Sequence, residues 1–181
     1  MSPEPSNPHI VDLLKKETDI FLSFFDPMIP GLISQQIGET AIYLYGSKRY
    51  SVVHGLPASR EELGDHHYVG YIQEMVSIES VRWLDQLVPN ARLAFCSNSV
   101  IAQRNAAVAG AGLAVLPTFV GEEASELFRV LPDQIRSLRP IWMSVGRDQH
   151  VLKTINRTAR EIARVFELDK ALLLGDSPRI E

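Results

Sequence analysis

The residues with the clearest capacity for chemistry are Ser97, Asn98 and Ser99, set between the apolar run Arg92–Phe95 and an alanine-rich stretch that begins at Val100. Side chains of this type at the start of a helix can do two things. They can cap it, because their oxygens accept from the first backbone N–H groups, which have no partner inside the helix. They can also form one wall of an anion site, since those N–H groups carry the positive end of the helix dipole. The turn by itself leaves both readings open. A serine nucleophile is not indicated. No histidine stands near Ser97 or Ser99 in sequence, and neither a G-x-S-x-G elbow nor a G-x-x-x-x-G-K-[ST] phosphate loop occurs. The neighbours His66 and His67 raise the question of a metal, but adjacent side chains point apart and no cysteine or third histidine follows at ligand spacing. Glu61 with Glu62 and Glu122 with Glu123 fall on expected exposed helix starts. No catalytic residue, metal or cofactor is therefore assigned, and the chain does not read as an enzyme.

The elements that must position this turn follow from periodicity. Arg92–Phe95 reads as a short buried strand and Leu113–Leu116, closed by Pro117, as a second. Between them Ala102, Ala106, Ala107 and Ala109 favour a helix that Gly110 and Gly112 stop, completing a βαβ unit. Ligands of open α/β sheets collect at the carboxyl ends of strands, where Ser97–Ser99 would sit. Upstream, Asn7 and Pro8 open a short helix with Ile10, Val11, Leu13 and Leu14 on one face. Asp19–Phe25 and Thr40–Tyr45 alternate as strands, and the S-x-x-E of Ser59–Glu62 is a capping box for a helix ending near Gly64. Tyr68–Ile72 is a further strand. Ile78–Val88 has helical spacing and stops at Pro89. Thr118 is expected to cap a helix with Glu122 and Glu123 in or just past its first turn. Val151–Phe166 is a closing amphipathic helix with Arg157, Arg160 and Arg164 on its solvated side.

Composition narrows the class. The 181 residues are 45% hydrophobic and 22% charged, ordinary values for a chain that buries a core. Lysine plus arginine number 18 against 22 acidic residues, and a net charge of -4 is the wrong sign for a surface that grips DNA. The single cysteine, Cys96, has no partner for an internal disulfide, which suits the cytoplasm, and reads as a small buried residue at a strand end. Met1–Pro8 has neither a positive n-region nor an apolar h-region.

Four segments in order resemble the effector-binding domain of LysR-type transcriptional regulators. RNAAVAGAGLAVLP, Arg104–Pro117, resembles that family's "V-x-aG-x-Gia-lP" run. KKETDIFL, Lys15–Leu22, resembles its strand entry, and GLPASREELGDHHYVG, Gly55–Gly70, its mid-domain loop. Phe128–Pro132 and Ile141–Val145 match its closing strands, so that the resemblance covers Ile10–Phe166. Where the family often carries an arginine after the first of these strands, Ser23 stands here.

The resemblance implies a two-lobed α/β architecture of the type 2 periplasmic-binding-protein kind, each lobe a Rossmann-like sheet with flanking helices. Lobe one would comprise Ile10–Val69 with Pro140–Phe166, and lobe two Gly70–Arg139, with the chain crossing at Tyr68–Ile72. The ends, 1–8 and 169–181, are expected to be flexible. An effector, small and anionic, is expected at Ser97, Asn98, Ser99 and Val100, with Phe24 and Phe25 opposite and Tyr71, Pro117 and Thr118 at the hinge and rim. The phenylalanines also fit a plain core role. A homodimer or tetramer is expected of the full-length protein. Contact with DNA would come only through a helix-turn-helix module, and contact with a membrane is not expected. That module and the opening strand–helix–strand of the effector domain have no counterpart here, so the first lobe is expected to be incomplete. A transporter's solute-binding protein shares the fold and is the alternative; the lack of a signal peptide counts against it.

Overall fold

The computed structural model describes residues 19–76 and 81–176. The expected helix over Ile10–Leu14 and the start of the one expected at Ile78 lie outside them. The described chain forms two compact units, one from residues up to Glu39 with Arg139–Ala171, the other from Thr40–Leu138 with the segment from Leu172.

In the first unit β1 (Ile20–Ser23) pairs antiparallel with the latter part of β7 (Arg136–Gly146), Ile20 opposite Val145 and Ser23 opposite Trp142. The start of β2 (Leu32–Ser47) lies on the other side of β7, where the Ser34 and Ser144 hydroxyls meet at 2.9 Å. A long helix, here α5 (Lys153–Leu168), completes this unit, burying Ile155 and Ala159 while Arg157, Arg160 and Arg164 face solvent. β1 stops two residues short of the expected end because the Ser23 hydroxyl donates to the Phe25 carbonyl at 2.6 Å and bends the chain.

The second unit runs on from β2 through α1 (Lys48–His54), β3 (His67–Gly70), α2 (Trp83–Leu87), β4 (Arg92–Cys96), α3 (Val100–Val108), β5 (Leu113–Pro117), α4 (Thr118–Gly121) and β6 (Leu127–Val130). Its strand order is β2–β5–β3–β4 with β6 on the far side of β2. β3 pairs parallel with both β4 and β5, so the two strands joined by α3 flank β3 and do not touch each other. Both faces of β2, β5 and β3 in this unit are covered. Ile42, Leu44, Tyr68, Leu113 and Val115 belong to one core cluster, and Ala41, Tyr43, Tyr45, Val69, Ala114 and Leu116 to another. Unbroken apolar runs are what strands buried on both faces require.

Several expectations are corrected. The change of unit falls at Thr40, not at Tyr68–Ile72, because β2 is one 16-residue strand whose later half pairs with β5 and β6. The expected capping box is a 3-10 turn over Glu61–Asp65, and Glu62 instead reaches back to the Ala58 N–H at 2.9 Å. β4 is an edge strand, and all five of its residues are exposed, Cys96 included. Of the expected flexible end, 177–181 lies outside the described residues, and the part before it is not a loose tail. It forms α6 (Lys170–Leu174), with Leu173 buried. Among the described residues no helix is long and apolar enough to cross a membrane.

Candidate functional site

α3 starts where the sequence places it. Ser99 holds extended backbone angles, and its Oγ accepts from the Ala102 N–H at 3.3 Å. The other end is fixed by Gly110, at φ 85°, and by Gly112, where a Cβ would stand 2.9 Å from the His67 carbonyl oxygen. Only glycine permits that approach of β5 to β3.

The turn before α3 is tied down on two sides. The Ser97 N–H donates to the Gly70 carbonyl at 2.9 Å, and the Ile72 N–H donates to Asn98 Oδ1, also at 2.9 Å, so that the end of β3 holds it from one side. From the other, Gln103 Nε2 donates to the Ser97 carbonyl at 2.5 Å, and Ser97 Oγ accepts from the Ser99 N–H at 3.2 Å. These bonds use the acceptors Ser97 Oγ, Ser99 Oγ, Asn98 Oδ1 and a carbonyl, and of the turn's donors the Ser97 and Ser99 N–H groups. What the turn keeps to offer is a set of donors. They are the two hydroxyl protons, the Asn98 amide N–H groups, and the Val100 and Ile101 N–H groups that have no acceptor inside the helix. Asn98 and Ser99 are exposed, Ser97 and Val100 half-buried. A cluster of donors at a helix N-terminus suits an incoming oxygen, best a charged one.

Beside the turn a cavity of about 170 Å³ opens into the second unit. Asn98, Val100 and Gln103 form its turn-side wall, and Trp83 and Leu84 of α2 another. Tyr71, the residue after β3, also lines it. Tyr71 is only 9% exposed, and its hydroxyl has no hydrogen-bond partner among the described residues. Burial first, then the nearby Asp85 carboxylate, raises its pKa. The charge of Arg82 opposes that shift.

The structure thus brings Ser97, Asn98, Ser99, Val100 and Tyr71 together. Pro117 ends β5, and the hydroxyl of Thr118, fully buried, donates to the Leu173 carbonyl at 2.5 Å and meets the Thr40 hydroxyl at 3.2 Å. Thr118 is thereby committed to the C-terminal segment. It is the first residue of α4, with Pro117 as the cap. Glu122 follows that helix, where it accepts from the Tyr45 hydroxyl and from Arg129 Nε at 2.9 and 2.8 Å. Phe24 and Phe25 are half-buried in the first unit. Sequence reasoning passed over Gln103 and Trp83. Gln103 lies four residues after Ser99, on the same side of α3, and that spacing was the available signal. His66 is buried against Tyr50, and among the described residues no group of three or more His, Cys, Asp and Glu side chains is gathered as a metal site requires.

A chain of two α/β units, one carrying a donor-rich turn over a cavity, has the layout of a ligand-binding domain. The chain belongs to the LysR substrate binding domain family, whose model matches residues 4–167. It is 29% identical over 131 residues to an uncharacterized HTH-type transcriptional regulator of Haemophilus influenzae, a match covering 68% of this chain and 44% of that protein. Among solved structures it is similar to the regulatory domain of CrgA, a LysR-type transcriptional regulator from Neisseria meningitidis. The TM-score is 0.72 at 19% identity, over 84% of this chain and 77% of that one. It is also similar to the regulatory domain of Synechocystis PCC6803 CcmR in complex with 2-PG. Here the TM-score is 0.66 at 16% identity, over 88% and 79% of the two chains. The fold is accordingly the two-lobed, periplasmic-binding-protein-like α/β fold of LysR regulatory domains, and the transporter alternative finds no support among these relatives.

Proposed function

We propose that this chain is the effector-sensing part of a cytoplasmic transcriptional regulator, without catalytic activity of its own, and that it holds a small organic anion at the turn Ser97–Ile101. The observation that carries this reading is what the turn leaves unengaged: its side-chain oxygens accept from backbone N–H groups, while the hydroxyl protons, the Asn98 amide and the first helical N–H groups remain as donors. A carboxylate docked there gains charge-assisted hydrogen bonds together with the attraction of the dipole of α3. Support for the regulatory role comes from the family and from the helix-turn-helix regulator of which the matched part of the chain spans 44%. The DNA-contacting module and the subunit pairing belong in this reading to the longer protein.

The test is a thermal-shift screen of small carboxylic acids, followed by titration of the strongest stabiliser into Ser97→Ala and Ser99→Ala. A hydrogen bond to a charged group contributes roughly 1.5–3 kcal/mol, so each variant should bind about ten-fold more weakly or worse. If the serines were caps alone, Ser99→Ala would lower the melting temperature and leave affinity unchanged. That result removes the turn from the site.

A further inference from the structure

We infer that the cavity behind the turn takes the uncharged, ring-sized body of a small molecule, and that the Tyr71 hydroxyl bonds an oxygen on it. Size, wall chemistry and one polar atom agree on this. At about 170 Å³ the space compares with the roughly 150 Å³ of a dry apolar cavity that takes up benzene. Val69, Val115, Leu84 and Trp83 give it an aliphatic and aromatic lining, and among the described residues no lysine, arginine, aspartate or glutamate lines it. A charged group placed among these side chains would lose its water. The polar atom is the Tyr71 hydroxyl, nine-tenths buried and without a hydrogen-bond partner among the described residues. A buried hydroxyl left unpaired is costly, so the position rewards a guest that brings an oxygen.

Asn98 and Val100 belong both to the turn and to the cavity wall. One molecule can therefore place a ring inside and a carboxylate outside on the donors of the turn. The charged end of this description rests on the proposed function; the ring end stands without it.

The chain has two tryptophans, Trp83 in the cavity wall and Trp142 on β7, so Trp142→Phe leaves a single fluorescent reporter at the site. Phenol, benzoate and acetate are titrated into this protein, with the tryptophan excited at the red edge of its band. Phenol is expected to change the Trp83 emission saturably in the millimolar range, and benzoate to do so at about ten-fold lower concentration. Adding Tyr71→Phe should weaken phenol by about ten-fold. Val76→Phe, made at a half-buried position on the cavity wall, should abolish the response to both rings while the far-ultraviolet dichroism stays native. No saturable phenol response, or one indifferent to both substitutions, overturns the inference. A phenol response that obeys both, with benzoate binding no better than phenol, supports the cavity and refutes the anion reading of the turn.

Discussion

The Tyr50 hydroxyl joins two neighbouring histidines through one oxygen. It accepts the His67 backbone N–H at 3.1 Å and lies 3.0 Å from His66 Nδ1. One ring nitrogen of His66 is thereby engaged by the phenol oxygen. Burial holds the His66 pKa below its ordinary value, against the opposing pull of Asp65 and Glu62. The sign then follows. A depressed folded pKa means that the unfolded chain takes up the proton first, so this stabilisation is complete above the ordinary pKa of about 6.5 and is lost as pH falls from there through the lower folded value. Urea midpoints measured between about pH 7.5 and 5 should fall on the acid side, and His66→Gln should flatten that fall while costing roughly 1–3 kcal/mol at neutral pH. An acid slope identical in the two proteins would remove His66 as its source. At this scale much was readable in advance. Ser99 as a helix cap is a matter of local chemistry, and so it is visible in a string of letters. The role of Thr118 was not, because its hydroxyl answers to a carbonyl 55 positions away.

Edges show what the one-dimensional pattern leaves out at the level of elements. The run Leu93-Ala94-Phe95-Cys96 has the composition of a buried strand, yet β4 ends the strand order and its residues are exposed, Phe95 by 40%. Burial of a strand depends on its neighbours in the sheet, and strand order is a property of pairing that no periodicity records. The helix that follows was predictable to within a residue because capping and alanine content are local signals. An exposed apolar edge is prone to pair with other edges, and a charge placed on it opposes this. Phe95→Lys is therefore expected to raise the concentration at which the protein remains free of aggregates in light scattering. Its unfolding midpoint should move by no more than about 0.5 kcal/mol, as for a surface change. A large loss of stability would mean that Phe95 is packed rather than free.

Taken as a whole, the molecule hands its chain from unit to unit on strands. β2 carries it over at Thr40 and β7 returns it at Arg139, a division hidden in the sequence because nothing in the alternation of β2 changes where its pairing partners do. The net charge of -4 belongs to this scale as well. The chain by itself should leave duplex DNA unshifted at micromolar protein and moderate salt, and a sequence-specific shift in an electrophoretic assay would contradict that. The C-terminal segment enters the second unit, where the Thr40 and Thr118 hydroxyls both donate to the Leu173 carbonyl and Arg129 donates to the Gly175 carbonyl at 2.9 Å. Ending the chain at Ala171 should therefore lower the melting temperature by several degrees, the cost of two buried hydroxyls losing their acceptor; an unchanged melt would show that these bonds contribute nothing. The same contact bears on how the protein is made. Thr40 is 133 positions ahead of the carbonyl that completes it, and Leu138, the last earlier residue of its unit, is followed by a stretch belonging to the other unit. At ribosomal speeds of about 5–20 residues per second, the second unit waits on the order of 2–7 s for its final acceptor after the rest of it has been synthesised. A nascent chain stalled in that interval would carry a nearly finished domain with an open polar seam, a state that quality-control proteases and chaperones can tell apart from the completed protein.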